Sequence, residues 1–166
     1  MVLGLSLHAF TVLHVIITIV ELLAGAVIVL QMLSGKRSGL NFLFLLTAVL
    51  TTITGFMFPY HGPTPGIVLG FITLPFLLLA AIAWYTGRLR GAWRAIYVLS
   101  MLILFYLDAF VAVAQSFMKI PSLHALAPHG NEPPFKVAQG LLLLVFIILG
   151  YLALKRFRPV VVASAA

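Results

Sequence analysis

The sequence predicts an all-α polytopic membrane protein, five transmembrane helices in one bundle with the N-terminus out and the C-terminus in. Three observations carry this. Of the 166 residues, 63% are hydrophobic and 8% are charged, against about 25% charged in an average soluble chain, so the charged residues cannot cover a water-exposed globule. The apolar residues fall in five long runs separated by turn chemistry. The basic residues then sort to one side of those runs. A soluble enzyme, a disordered chain and a disulfide scaffold are excluded.

About 20 mostly apolar residues cross the hydrocarbon layer as a helix. The runs 7–32, 41–59, 66–86, 94–118 and 136–155 qualify. Ser34-Gly35-Lys36-Arg37-Ser38-Gly39 makes a short polar hairpin, and Tyr60-His61-Gly62-Pro63-Thr64-Pro65-Gly66 interrupts the helical pattern. Gly87-Arg88-Leu89-Arg90-Gly91 is a second short turn, and the outer loop 119–135 is punctuated by Pro121, Pro128, Pro133 and Pro134. Within that loop, 121–126 reads as a short interfacial helix, and Glu132-Pro133-Pro134-Phe135 as a stiff extended approach to the fifth span. Pro75 is expected to kink the third span. The first run lacks a basic leader and exceeds the usual length of a signal-peptide core, so it is expected to be an uncleaved span.

Orientation follows from Lys and Arg. Lys36, Arg37, Arg88, Arg90, Arg94, Lys155, Arg156 and Arg158 lie on one side, which makes eight; Lys119 and Lys136 lie on the other. Read this way, the net charge of +7 describes insertion into a bilayer and implies no nucleic-acid partner. Trp84, Tyr85, Trp93 and Tyr97 read as an aromatic belt at the inner interface, with Tyr60 its outer counterpart.

In so apolar a chain the polar exceptions are informative. At 100° per residue Thr11, His14, Thr18, Glu21 and Gly25 share an arc of roughly 80° on the first span, a stripe expected to face the bundle interior. Asp108 and Gln115 share a face of the fourth span, and Thr47, Thr51 and Thr54 one of the second. Two of the three acidic residues, Glu21 and Asp108, fall inside the membrane, where an ionised carboxylate costs at least ~2.5–3.5 kcal/mol. The sequence therefore points to a small polar pocket built from His14, Thr18, Glu21, Asp108 and Gln115, with His14 paired to Asp108. Interhelical glue is the plain alternative for the threonines.

The outer loop also carries His124, His129 and Glu132, donor types that suit a divalent metal although their spacing matches no established motif. Haem would need two axial side chains at one depth, and the histidines offer no matched pair. Zero cysteines exclude Fe–S clusters, thiolate zinc and covalent c-type haem. No nucleophile elbow, phosphate-binding glycine loop or metalloprotease motif is present.

Several short pieces together resemble an uncharacterised family of small multi-span bacterial membrane proteins: Thr54-Gly55-Phe56 with Phe58-Pro59, Gly91-Ala92-Trp93-Arg94, Tyr106-Leu107, Leu126-Ala127-Pro128 and Glu132-Pro133-Pro134-Phe135. The resemblance implies a bacterial inner (cytoplasmic) membrane and no particular activity. It also implies Asn at position 108 and Thr at 129, where this chain has Asp108 and His129; that departure weakens a relay role for the first and a ligand role for the second. The reading that follows is a membrane protein with an outward-opening pocket that binds a small molecule or ion, or serves as an accessory subunit of a membrane complex. A proton-coupled transporter using Glu21 and Asp108, or a haem- or metal-dependent redox protein using the outer histidines, are the alternatives. The lipid bilayer is the implied partner, with a homo-oligomer or a membrane complex also open.

Overall fold

The computed structural model describes residues 1–59 and 65–158. The expected turn after the second span, with Tyr60 and His61, lies outside these residues apart from its last two positions. The described chain is all-helical: α1 (Leu7–Leu33), α2 (Asn41–Phe56), α3 (Pro65–Ala81), α4 (Ala92–Lys119), α5 (Pro121–His124) and α6 (Pro133–Arg156), with α3 running on as a π-helical turn over Ile82–Thr86. Four helical stretches are long and apolar enough to cross a membrane: Leu7–Leu33, Gly66–Thr86, Ala92–Lys119 and Pro133–Arg156. At 16 residues α2 is shorter, about 24 Å at 1.5 Å per residue. It stops before the predicted 59 because Phe58 precedes Pro59, and a residue before proline is driven out of the α region.

The helix ends follow local chemistry. Ser6 caps α1 by accepting the Ala9 N–H at 3.2 Å. At the other end Gly35, at φ +73°, lets its own N–H reach the Met32 carbonyl and the Lys36 N–H reach that of Gln31. This paired return to the last turn needs a left-handed residue, which glycine adopts without steric penalty. The approach to α6 corrects one expectation. Glu132 is extended, but Pro133 and Pro134 already belong to the helix, whose first turn needs no N–H from them. Of the short helix expected over 121–126, one turn is present as α5, opened by Pro121. Pro75 is accommodated inside α3, where it has no N–H for the carbonyl one turn back.

The packing is asymmetric along the bundle. α1, α2, α3 and α4 form a ring in which each touches its two neighbours, and α6 lies outside it against α1 and α4. The buried apolar cluster occupies the half that carries the basic turns: Ile28 and Met32 of α1, Phe44 of α2, Ala80 of α3, Tyr97, Met101 and Leu104 of α4, and Ala153 of α6. Polar locks reinforce that half. The buried Tyr97 hydroxyl donates to Asn41 Oδ1 at 2.6 Å, and Arg94 donates to the carbonyls of Leu154 and Phe157 at the end of α6. Tyr97 is therefore a core residue and not part of an interfacial belt, since its hydroxyl finds its partner inside the bundle. Trp84 packs on it at 5.0 Å, with the Arg37 guanidinium 4.7 Å over the indole. The outward-facing surface is apolar, with Leu23, Leu30, Phe71 and Leu78 each more than 60% exposed, as a lipid-facing surface requires.

At Gly25, α1 is packed directly against aromatic side chains of α2 and α4. A Cβ there would sit 2.8 Å from the Phe105 ring and 3.1 Å from that of Phe44. Gly140 on α6 has open space at the same position. Gly25→Ala should accordingly destabilise the bundle by about 1–3 kcal/mol through overpacking, whereas Gly140→Ala should be neutral or stabilising by up to about 1 kcal/mol. Thermal unfolding of both variants in one detergent checks this; equal melting temperatures would contradict the close approach.

Candidate functional site

In the other half the four-helix ring opens around a cavity of about 620 Å³. Each helix contributes one wall. Its polar lining consists chiefly of Thr11, His14 and Thr18 from α1, Thr51 and Thr52 from α2, Thr73 from α3, and Asp108, Gln115 and Ser116 from α4. The rest is mainly aliphatic and aromatic, including Val15, Ile19, Phe56, Leu107 and Val111. Lys119 stands at the rim, in the last turn of α4. Two glycines shape the walls: the Phe56 ring fills the space beside Gly70, and His14 Cε1 lies 3.8 Å from where a Cβ of Gly55 would be.

Four of the five predicted pocket residues (His14, Thr18, Asp108 and Gln115) line this cavity. Glu21, the fifth, lies behind its wall and is 2% exposed. The predicted pairing of His14 with Asp108 is corrected. His14 Nδ1 is 2.7 Å from Thr54 Oγ1 on α2, whereas Asp108 faces Glu21 across the α1–α4 contact. Helix geometry explains the exchange. Glu21 is two turns deeper than His14 on α1, and Asp108 is about 16 Å from the end of the antiparallel α4, so the two carboxyls meet at mid-bundle.

The His14 contact fixes its tautomer. Thr54 lies 2.6 Å from the Leu50 carbonyl, a separation that two oxygens reach only with the hydroxyl proton between them. Thr54 Oγ1 is then an acceptor towards the ring, so His14 Nδ1 carries the hydrogen and Nε2 of the neutral ring keeps its lone pair. The carboxyl pair is less completely bonded. Glu21 Oε2 and Thr51 Oγ1 are both buried with no hydrogen bond of good geometry, and the hydroxyl lies beside the carboxyl. Two carboxyls in contact in a medium of low dielectric hold together only with a proton or another cation between them.

The loop between α5 and α6 forms a separate polar cluster. Glu132 accepts from the His129 N–H and the Asn131 N–H, both at 3.0 Å, and pairs with His129 Nδ1 at 2.9 Å. His124 does not join them: among the described residues no three His, Asp or Glu side chains gather into a group that could hold a metal ion. His129 and Glu132 thus meet as a loop clasp ahead of α6, a local bond of the i,i+3 kind. Sequence reasoning passed over Asn41 and read Arg94 only as a topology signal, since their partners are far away along the chain, and it passed over the contribution of α3, where Thr73 alone breaks an apolar helix.

No known family model, curated protein or solved structure matches this chain. Its chemistry is therefore read from the site itself.

The loop clasp has a pH signature. Desolvation pushes the Glu132 carboxyl up, but the His129 and Asn131 amides and the His129 ring outweigh it and bring it down from 4.5 to about 2. A carboxylate held charged in the folded loop stabilises it fully above pH 4.5, and that contribution disappears as the pH falls through about 2. The amide proton shifts of His129 and Asn131 should titrate together over that interval in NMR spectra. Glu132→Gln should remove the transition, and a wild-type transition centred at the ordinary value would contradict the clasp.

Proposed function

We propose that this chain is a five-span membrane protein, N-terminus out and C-terminus in, that holds a small molecule in a cavity opening towards the outer side. The observation that carries the reading is the cavity. It is of the size that encloses small ligands, generally about 300–1,000 Å³, and it combines mostly apolar walls with a few convergent polar groups. Two features argue for a binding role over plain interhelical glue. The bundle is tightly packed at its basic half and separated at the other. The outer part of the α1 stripe, Thr11, His14 and Thr18, lines the open space. On this reading α2 is the fifth span, its 16 helical residues extended by the segment that follows. The membrane is the bacterial inner membrane implied by the short motifs shared with small multi-span proteins.

The Glu21–Asp108 contact favours one second reading, a proton-coupled carrier in which this pair takes up and releases the coupling proton. The chain has no inverted repeat, so alternating access would have to be built from more than one copy.

Binding is tested by purifying the protein gently and identifying what small molecules travel with it by native mass spectrometry. His14→Leu combined with Asp108→Leu should remove the bound species while the helical content persists. An unchanged complement of bound molecules in the double variant would overturn the reading. Carrier activity separates from binding in reconstituted vesicles, where Glu21→Gln should abolish proton-linked uptake of the bound molecule if the second reading holds.

Orientation has its own test, because a chain without cysteine accepts single reporter thiols. In intact cells a membrane-impermeant maleimide should label His129→Cys and should label Lys36→Cys only after permeabilisation. The reverse pattern would invert the topology.

A further inference from the structure

The hydrogen-bonding polarity of the cavity wall specifies what it would hold. Six of the described lining residues carry a hydroxyl: Thr11, Thr18, Thr51, Thr52, Thr73 and Ser116. Five of these donate their proton to the carbonyl one turn back in their own helix: Thr11 to Leu7, Thr18 to His14, Thr52 to Ala48, Thr73 to Leu69 and Ser116 to Ala112. A hydroxyl committed in this way offers the cavity only lone pairs. The sixth, Thr51, lies beside Glu21. His14, with its hydrogen on Nδ1 towards Thr54, likewise keeps an acceptor on Nε2. Asp108 adds carboxyl oxygens to the wall, backed by the unpartnered Oε2 of the buried Glu21. Among the described lining side chains, the donors opposed to these acceptors are the Gln115 amide, itself half acceptor, and Lys119, while the first turn of α3 contributes backbone at Gly66 and Ile67. Lys119 is exposed and eleven residues from Asp108, about 16 Å along the helix. Among the described residues no Lys or Arg forms an ion pair with either carboxyl.

A wall made of acceptors leaves a ligand's own acceptors unpaired and rewards N–H donors. We propose that the cavity takes a primary or secondary ammonium on an apolar body, its charged head against Asp108 and its hydrocarbon along the apolar lining. This specifies the ligand class of the cavity put forward above and rests on that reading. The head would supply what the carboxyl pair lacks, a cation with several N–H donors, at a depth where no side chain provides one. The apolar body matches the remainder of the lining. An anionic or purely acceptor-bearing molecule would meet the same wall unfavourably.

The full chain in phosphatidylcholine nanodiscs, with protein-free nanodiscs as the partitioning control, is titrated with three probes of one chain length: n-octylammonium, n-octanol and n-octanoate. Octylammonium should bind at least about tenfold more tightly than octanol, the factor expected of a charge-assisted hydrogen bond, and octanoate should not bind. Asp108→Asn should reduce octylammonium affinity by about tenfold or more and leave octanol unchanged. The wild-type comparison among probes needs no variant, so a misfolded Asp108→Asn protein does not rescue the proposal. Octanoate binding as well as octylammonium, or octylammonium affinity indifferent to Asp108→Asn in a folded protein, would overturn the ligand class. Gly55→Phe, which places a ring beside His14 in the cavity, distinguishes the two failures. If it abolishes octanoate or octanol binding, the cavity binds molecules but of another class. If no probe binds, or if filling the cavity changes nothing, the binding reading fails with it.

Discussion

The constraint on which the rest of this structure depends is that hydrocarbon supplies no hydrogen bonds. Every polar group placed inside the bundle must find its partner there. The chain answers that requirement in two ways. At the basic half, long-range partners tie helices together: Tyr97 on Asn41 Oδ1, and Arg94 on the last carbonyls of α6, with Asn41 Nδ2 and Gln31 Oε1 left buried and unpartnered. At the other half the partners are mostly each residue's own helix, as the threonines bond back one turn and leave the space between helices open. The result is a packed core at one end and a lined cavity at the other. The difference is whether the side chain reaches across to a neighbour or back to its own backbone.

The carboxyl pair sits where these two regimes meet. Glu21 is packed among the helices and Asp108 lines the cavity, so one acid belongs to the core and the other to the site. Their contact joins the contents of the cavity to the α1–α4 interface, one turn from the tight crossing at Gly25. A change of charge at Asp108 would consequently be felt by the packing of the bundle and not only by a ligand. The loop clasp of His129 and Glu132 is separate from this arrangement and orders the chain ahead of α6.

Much of the architecture was legible because hydrophobic length and the basic turns are local signals. Helix bounds came within a few residues, and the misses have identifiable causes. Pro59 ended α2 early, and Pro133 and Pro134 joined α6 since an N-terminal turn tolerates proline. The pocket residues were legible as exceptions on helical faces. Which exceptions would meet was not, since antiparallel register decides it. Two helical turns of slippage separate a His14–Asp108 pair from the Glu21–Asp108 pair, and periodicity within a single helix carries no information about register between two. Tyr97 was misplaced for a related reason: a tyrosine near a helix end is an interfacial anchor unless a distant partner such as Asn41 takes its hydroxyl inside.

The central claim is that two acids meet inside the bundle and are held together by a proton when no other cation is present. Infrared difference spectroscopy of the purified protein at neutral pH reads this directly, since a protonated carboxyl has a carbonyl stretch that a carboxylate lacks. Such a band is expected in the wild type, shifted on deuteration and altered by either Glu21→Gln or Asp108→Asn, because each removes one half of the same pair. A spectrum showing only carboxylate bands, or a band that responds to one substitution and ignores the other, would contradict it.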